Sequence, residues 1–401
     1  MGFVGELGLD GSVRPVAGLV PMVVALGGAV RAVVPAAGHA HACAVADRPL
    51  AVSTLAELVA SLQDEAPWPE PPDPPAVVAV APDPDLADVR GQDLARLALE
   101  LSAAGGHHLF FVGPPGSGKT MLARRLPGLL PPLDHEESVA VTMIHSAAGL
   151  ALPPGGLVTR PPFRAPHHGA TPVSLVGGGG SSLRPGELSA AHRGVLFLDE
   201  LGEFQPSVLD GMRQPLEEGV VRVARAHGSV TLPAEVLLVA ATNPCPCGGG
   251  GPGACACGEA AKARYLRRLS GPLLDRFDLR VPVDRPPIDA LLDDTPGEST
   301  AQVAARVAAA RDLAMRRQGG LNATLSSSEL DDVAPLDPAA RRLLRRELER
   351  GRLSGRGLHR VRRVARTLGD LRQPDDRIGE DLVALALALR SAMNGPVGVV
   401  A

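Results

Sequence analysis

Apolar residues gather in four short runs along the middle of the chain: Leu109 to Val112, Val195 to Leu198, Val236 to Ala241 and Leu279 to Val283. Runs of this length predict buried strands. Between them the apolar spacing lengthens to that of helices. Residues 86 to 285 therefore predict an α/β layer fold around a mainly parallel sheet. Beyond a proline-rich break at Arg285 to Pro287 the pattern is helical, over 286 to 401. Asp337 as N-cap, Pro338 in the first turn and Gly351 past the end delimit one helix there. In the next, Leu358, Val361, Val364, Ala365, Leu368 and Leu371 share a face.

Ahead of the sheet, an apolar run at Val30 to Val34 and a helical pattern at Thr54 to Leu62 predict part of an α/β domain over 1 to 63. Residues 64 to 75 are half proline, so they join neither a helix nor a central strand, and 64 to 85 is expected to be a linker. The apolar stretch Val16 to Val30 is interrupted by Pro21 and three glycines and is too short to span a bilayer. With no basic segment leading into an apolar core at the N-terminus, a cytoplasmic protein without a membrane partner is expected.

Composition adds two constraints. The net charge of −4 is unevenly spread, with 10 acidic and 3 basic residues in 1 to 85 against 12 acidic and 18 basic in 301 to 401. Lysine occurs only at Lys119 and Lys262, so the basic residues are almost all arginine, and arginine counts alone say little. Aromatics make up 2% of the chain, which leaves few platforms on which bases could stack; a grip on nucleic acid would act through phosphates.

The first apolar run ends in the stretch Gly113, Pro114, Pro115, Gly116, Ser117, Gly118, Lys119, Thr120, a complete P-loop. A phosphate chain must be wrapped by backbone N–H groups, and glycine permits that approach. Lys119 would reach the β- and γ-phosphates of ATP, and the Thr120 hydroxyl would ligate Mg²⁺. The run VLFLDE places two carboxylates at the end of a second strand: Asp199 to hold the Mg²⁺, directly or through water, and Glu200 to polarise the attacking water. A third strand leads to Asn243, a polar amide suited to sense the γ-phosphate.

Directly after it stand Cys245, Cys247, Cys255 and Cys257, in a glycine-rich segment. Four thiolates so placed could close a tetrahedral Zn²⁺ site, or could remain reduced or redox-active thiols. Cys43 stands alone and is expected in the core.

The stretches GQDLARLALELSAAGGHHLFFVGPPGSGKT, RPPFRAPHHGATPVSLVGGG, PGELSAAHRGVLFLDE, RQPLEEGVVRVARA, ATNPCPCG and SGPLLDRFDL together resemble the magnesium-chelatase-like AAA+ ATPases of the YifB/ComM type. The resemblance implies a P-loop AAA+ parallel sheet core with a C-terminal helical lid. It implies a homo-hexameric ring with ATP between subunits, Arg276 as an arginine finger acting on a neighbour, Arg356 as the sensor-2 arginine, and Val89 and Gln92 near the adenine. The stretch from Val4 to Pro35 is similar to the C-terminal half of a Lon-protease-like domain, so that domain is expected to be partial. A Lon-type Ser–Lys dyad needs a lysine that this stretch lacks, which excludes peptidase chemistry.

The function implied is a motor on DNA of the helicase or branch-migration kind; the alternative is a chelatase-type motor that remodels a protein substrate. A helix over Leu209 to Glu217 and an alternating hairpin over 220 to 231, turning at His227-Gly228, would point Arg222 and Arg225 into the pore of such a ring toward DNA.

Overall fold

The computed structural model describes residues 1–72, 83–154, 156–179, 183–225, 228–249, 271–292, 295–372 and 377–391, together with 255, 257, 258, 260, 261, 264 and 265. Five strands form its central sheet: β1 (Leu109–Val112), β2 (Phe163–Arg164), β3 (Val195–Leu198), β4 (Leu237–Thr242) and β5 (Leu279–Pro282). All pair in parallel, in the order β5-β1-β4-β3-β2. The sensor strand β4 thus lies between the P-loop strand β1 and the two-carboxylate strand β3. Their unbroken apolar sequences follow from burial on both faces. Leu109, Phe111, Val195, Phe197, Val239 and Ala241 pack into one cluster, and the alternate positions Phe110, Leu196, Leu198, Leu238 and Ala240 pack into another.

The first cluster is closed by helices Asp93–Gly105, Thr300–Gln318, Gly355–Arg372 and Glu380–Ser391, so the C-terminal helices share a core with the sheet. Their ends are those the sequence signals. Asp337 Oδ1 accepts from the Ala340 N–H at 2.6 Å at the start of Pro338–Glu349, and Gly351 follows in the left-handed region with φ +67°. In Gly355–Arg372 the predicted face is inward, but Arg362, Arg366 and Asp370 on other faces are buried too. Arg362 donates to Asp331 Oδ1 at 2.8 Å and to the Leu330 carbonyl at 2.6 Å. Much of the arginine excess of this region is structural.

Two expectations are corrected. The helix over Leu209 to Glu217 is two, Pro206–Gly211 and Arg213–Glu218, because Pro215 has no N–H to offer the Gly211 carbonyl. The hairpin strands Val220–Arg225 and Gly228–Pro233 end on the pair Arg225 and Gly228, and His227 of the expected turn lies outside the described residues. Cys43 is exposed, not core: it ends the five-residue helix His39–Cys43 with its Sγ 3.5 Å from His39 Nε2.

Near the N-terminus a small parallel sheet, Gly2–Phe3, Ala32–Pro35 and Leu50–Val52, is backed by helices Leu19–Leu26 and Leu55–Leu62; the latter starts from a Thr54–Glu57 capping box. Trp68 of the proline-rich stretch packs on this sheet. The unit docks on the body of the central sheet through Ser146, whose carbonyl accepts from the Gly18 N–H at 2.8 Å and whose Oγ accepts from the Val20 N–H at 3.2 Å. Among the described residues no helix is long and apolar enough to cross a membrane.

At the amino ends of the strands one buried carboxylate ties the lid to the sheet. Asp278 Oδ2 lies 3.2 Å from His107 Nδ1, and Asp278 Oδ1 accepts from Arg360 Nη1 at 2.5 Å. His107 Nε2 lies 2.8 Å from Thr367 Oγ1. Burial alone would raise the Asp278 carboxyl; the hydrogen bond from His107 and the charges of His107 and Arg360 outweigh it and hold the group well below the usual carboxylate range. A depressed carboxyl stabilises above its unfolded pKa of about 3.9, and that contribution disappears as the pH falls below it. Asp278→Asn should lower the unfolding free energy by about 3–5 kcal/mol at neutral pH and weaken its dependence on pH below about 4. Denaturant titration at several pH values measures both; a loss under about 1 kcal/mol would show that the lid is held elsewhere.

Candidate active site

Register brings the site together. Val112 pairs with both Thr242 and Pro282, so Gly113 and Asn243 leave neighbouring strands at the same level; Leu198 pairs with Ala240, so Asp199 emerges lower. A Cβ on Gly113 would lie 2.0 Å from the Val283 carbonyl oxygen, which only glycine avoids. Gly116 and Gly118 turn the loop with φ +74° and +93°. Their N–H groups find no acceptor among the described residues, and neither does the buried Ser117 Oγ find a partner. Unfilled donors at the start of the helix Lys119–Ala123 fit a phosphate chain, whose oxygens can only accept.

Lys119 is 8% exposed, and its Nζ donates to the Gly113 carbonyl at 2.7 Å, the Pro114 carbonyl at 2.8 Å and Asn243 Oδ1 at 3.3 Å. Burial pulls its pKa down, while Asp199 and Glu200 oppose the fall. The ammonium is thus parked on backbone carbonyls that a phosphate would outcompete, since a charged acceptor makes the stronger bond. Thr120 Oγ1 donates to Asp199 Oδ2 at 2.7 Å, the two oxygens that sequence assigns to Mg²⁺.

Glu200 is one of the few non-glycine residues with positive φ, at +52°, a strained conformation that turns its exposed side chain away from the strand line. Its Oε2 lies 3.1 Å from His168 Nδ1. His168 comes from the segment after β2 and was not identified from the sequence; the pair His167-His168 in a loop rich in glycine and proline was the available signal.

Gln92 Nε2 donates to the Ser117 carbonyl at 3.2 Å and the Asp284 carbonyl at 2.6 Å, bracing the P-loop against the end of β5, and Val89 is buried beside it in the first cluster. Neither Arg276, expected to act on a neighbour, nor Arg356, expected as the sensor-2 arginine, is drawn into this constellation. Arg276 stands at the opposite, amino edge of the sheet, where it is ion-paired with Glu217 and lines a cleft of about 1110 Å³ with Arg193, Arg311, Arg360 and Arg363. Arg356 is exposed in the first turn of Gly355–Arg372 and makes no ion pair among the described residues.

In the hairpin, Val221 and Val223 are buried and Arg222 is exposed and paired with Glu218. The side chain of Arg225 lies outside the described residues. The four cysteines converge: Cys245 and Cys247 Sγ are 3.4 Å apart, Cys255 Sγ lies 3.4 and 3.6 Å from them, and all four sulfurs fall within 4.8 Å of one another.

Comparison with known proteins agrees with this geometry. Residues 85–291 match the family model of magnesium chelatase, subunit ChlI, and residues 297–390 match that of its C-terminal part. An uncharacterized protein of Mycobacterium tuberculosis is 47% identical over 397 residues, covering 96% of this chain and 78% of that protein. The uncharacterized protein YifB of Escherichia coli is 41% identical over 386 residues, covering 93% and 74%. The competence protein ComM of Haemophilus influenzae is 40% identical over 399 residues, covering 98% and 78%. With a P-loop sheet of this order, both family models matched and relatives alike over nearly the whole chain, the protein belongs to the magnesium-chelatase-like AAA+ family.

Proposed function

We propose that the protein is a Mg²⁺-dependent ATPase that turns ATP hydrolysis into movement along DNA, working as a homo-hexameric ring. The observation that carries the ATPase reading is the convergence of Lys119, Asn243, the Thr120–Asp199 pair and Glu200 at one edge of the sheet. In this reading Lys119 leaves the Gly113 and Pro114 carbonyls for the phosphates, and the P-loop N–H groups wrap them. Thr120 and Asp199 would hold Mg²⁺, which when bound offsets the negative charge of the phosphate oxygens. Glu200 orients a water and accepts its proton, with His168 steadying the carboxylate. Asn243 fixes the position of Lys119 relative to the attacked group.

The position of Arg276 at the far edge suits an action in trans. A residue that cannot serve its own P-loop can serve a neighbour's when subunits close head to tail into a ring. Arginine fingers contribute about 10³ to 10⁵ in rate. Arg276→Ala should therefore bind ATP normally, fail to hydrolyse it, and depress the turnover of wild-type protein on mixing by more than dilution. A strictly additive response in the mixed ATPase assay would rule out a finger in trans.

For the substrate, the hairpin Val220–Pro233 supports DNA over a protein, as does the likeness to a competence protein. Glu218 pairs with the hairpin's own Arg222 and Glu217 with Arg276, so of the two hairpin arginines the DNA reading is tested on Arg225. Arg225→Ala should keep basal ATPase and assembly but lose stimulation by DNA. It should also flatten the dependence of log K on log salt by about one unit per lost phosphate contact. Turnover measured with single-stranded, duplex and branched DNA tests this; wild-type turnover indifferent to every DNA would leave the protein-remodelling reading.

A further inference from the structure

The four cysteine sulfurs lie close enough together to share one metal ion, and the loop that carries them lies against the P-loop. A metal–sulfur distance of about 2.3 Å in a tetrahedron sets sulfurs about 3.8 Å apart. Separations of 3.4, 3.4 and 3.6 Å among three of the sulfurs, with all four within 4.8 Å of one another, fit a single ion at their centre. A disulfide does not account for them, since one bond of about 2.05 Å would pair two sulfurs and leave a third at contact distance unexplained. Tetrahedral all-sulfur ligation selects zinc among the common divalent ions. The Gly249 N–H also donates to Cys247 Sγ at 3.4 Å, the kind of bond that offsets charge on a thiolate ligand. The segment linking the two cysteine pairs is mostly glycine, the residue with most freedom to lose on ordering, so a metal is a physical reason for the sulfurs to meet.

The contacts around the cluster run to the ATP site. Gly248, with φ +73°, lies so close to the P-loop that a Cβ there would stand 2.5 Å from Pro115 Cγ. Cys245 is buried and follows Asn243 by two residues. Beyond the last cysteine, Tyr265 returns to the site: its OH lies 2.9 Å from Thr242 Oγ1, and its ring packs on Gly202, just after the two carboxylates, where a Cβ would meet it at 2.6 Å. Inside the loop that the four cysteines close, Gly248 touches the P-loop and Cys245 continues the sensor strand past Asn243, while Tyr265, eight residues beyond Cys257, touches the sensor strand and the carboxylate turn.

We propose that Cys245, Cys247, Cys255 and Cys257 hold one zinc ion, and that this closure sets the P-loop and Asn243 for nucleotide, so that zinc and ATP bind with positive coupling. The coupling rests on the nucleotide-binding reading above; the metal assignment does not. Coupling is reciprocal, so one factor must appear in both directions, and such factors are commonly about 5- to 150-fold. Zinc stripped from the wild-type protein by a chelator should weaken binding of a non-hydrolysable ATP analogue by that factor. The analogue should tighten zinc by the same factor in competition with a chromophoric chelator.

Elemental analysis of wild-type protein purified under reducing conditions should give one zinc per chain, and the variant Cys247→Ser, at an exposed position, should bind zinc more weakly. Iron in its place, or no metal with four freely titrating thiols, would overturn the inference. Zinc affinity equal with and without an analogue that demonstrably binds would overturn the coupling. Zinc-loaded protein that binds no analogue would overturn the nucleotide reading, and the coupling with it, while one zinc per chain would sustain the metal site.

Discussion

The parallel ladder that joins β1 to β4 and β5 is the constraint on which the rest depends. Because Val112, Thr242 and Pro282 stand level, the loops that follow them open on one edge, and Lys119 can reach carbonyls and an amide that belong to different strands. A slip of one residue would turn every side chain of a strand to the other face and carry Asn243 away from the ammonium. The absence of a Cβ at Gly113 is the same constraint at atomic scale, for the loop passes against the Val283 carbonyl with no space to spare.

The two edges of the sheet have opposite characters. The carboxyl edge carries groups whose hydrogen bonds are provisional: an ammonium on backbone carbonyls, a serine hydroxyl without a partner among the described residues, and a glutamate in a strained backbone. The amino edge carries the permanent ones, with Asp278 fully enclosed by His107 and Arg360 and the Phe277 carbonyl accepting from Arg390 at 2.8 Å. The strain and incomplete pairing at one edge are tolerated because the other edge and the two apolar faces fix the strands.

Much of the fold was legible from local pattern. Three of the longer strands follow from uninterrupted apolar runs, β5 from apolar positions that alternate with Arg280 and Pro282, and the ends of the lid helices from caps such as Asp337 and Gly351, which act within a few residues. The site was legible to the same extent: the P-loop, Asp199 and Glu200 lie in short motifs whose chemistry requires those residues in that order. What escaped depends on contacts between distant segments. His168 meets Glu200 across more than thirty residues, and His107 meets Thr367 across 260. β2 is two residues long, too short to carry a pattern. The break at Pro215 was legible in principle, since proline removes the bond that a continuous helix needs there. Cys43 shows the limit of residue averages, because its apolar preference is overridden by a short helix that turns it to solvent.

The central claim is that Lys119 grips phosphate in the ground state while Glu200 acts only in the hydrolytic step. Equilibrium binding of ATP, measured beside single-turnover hydrolysis for Lys119→Ala and Glu200→Gln, tests it most directly. The account predicts that Lys119→Ala loses binding, whereas Glu200→Gln binds as the wild type does and retains ATP uncleaved. Equal loss of binding in both variants, or hydrolysis by Glu200→Gln at the wild-type rate, would contradict it.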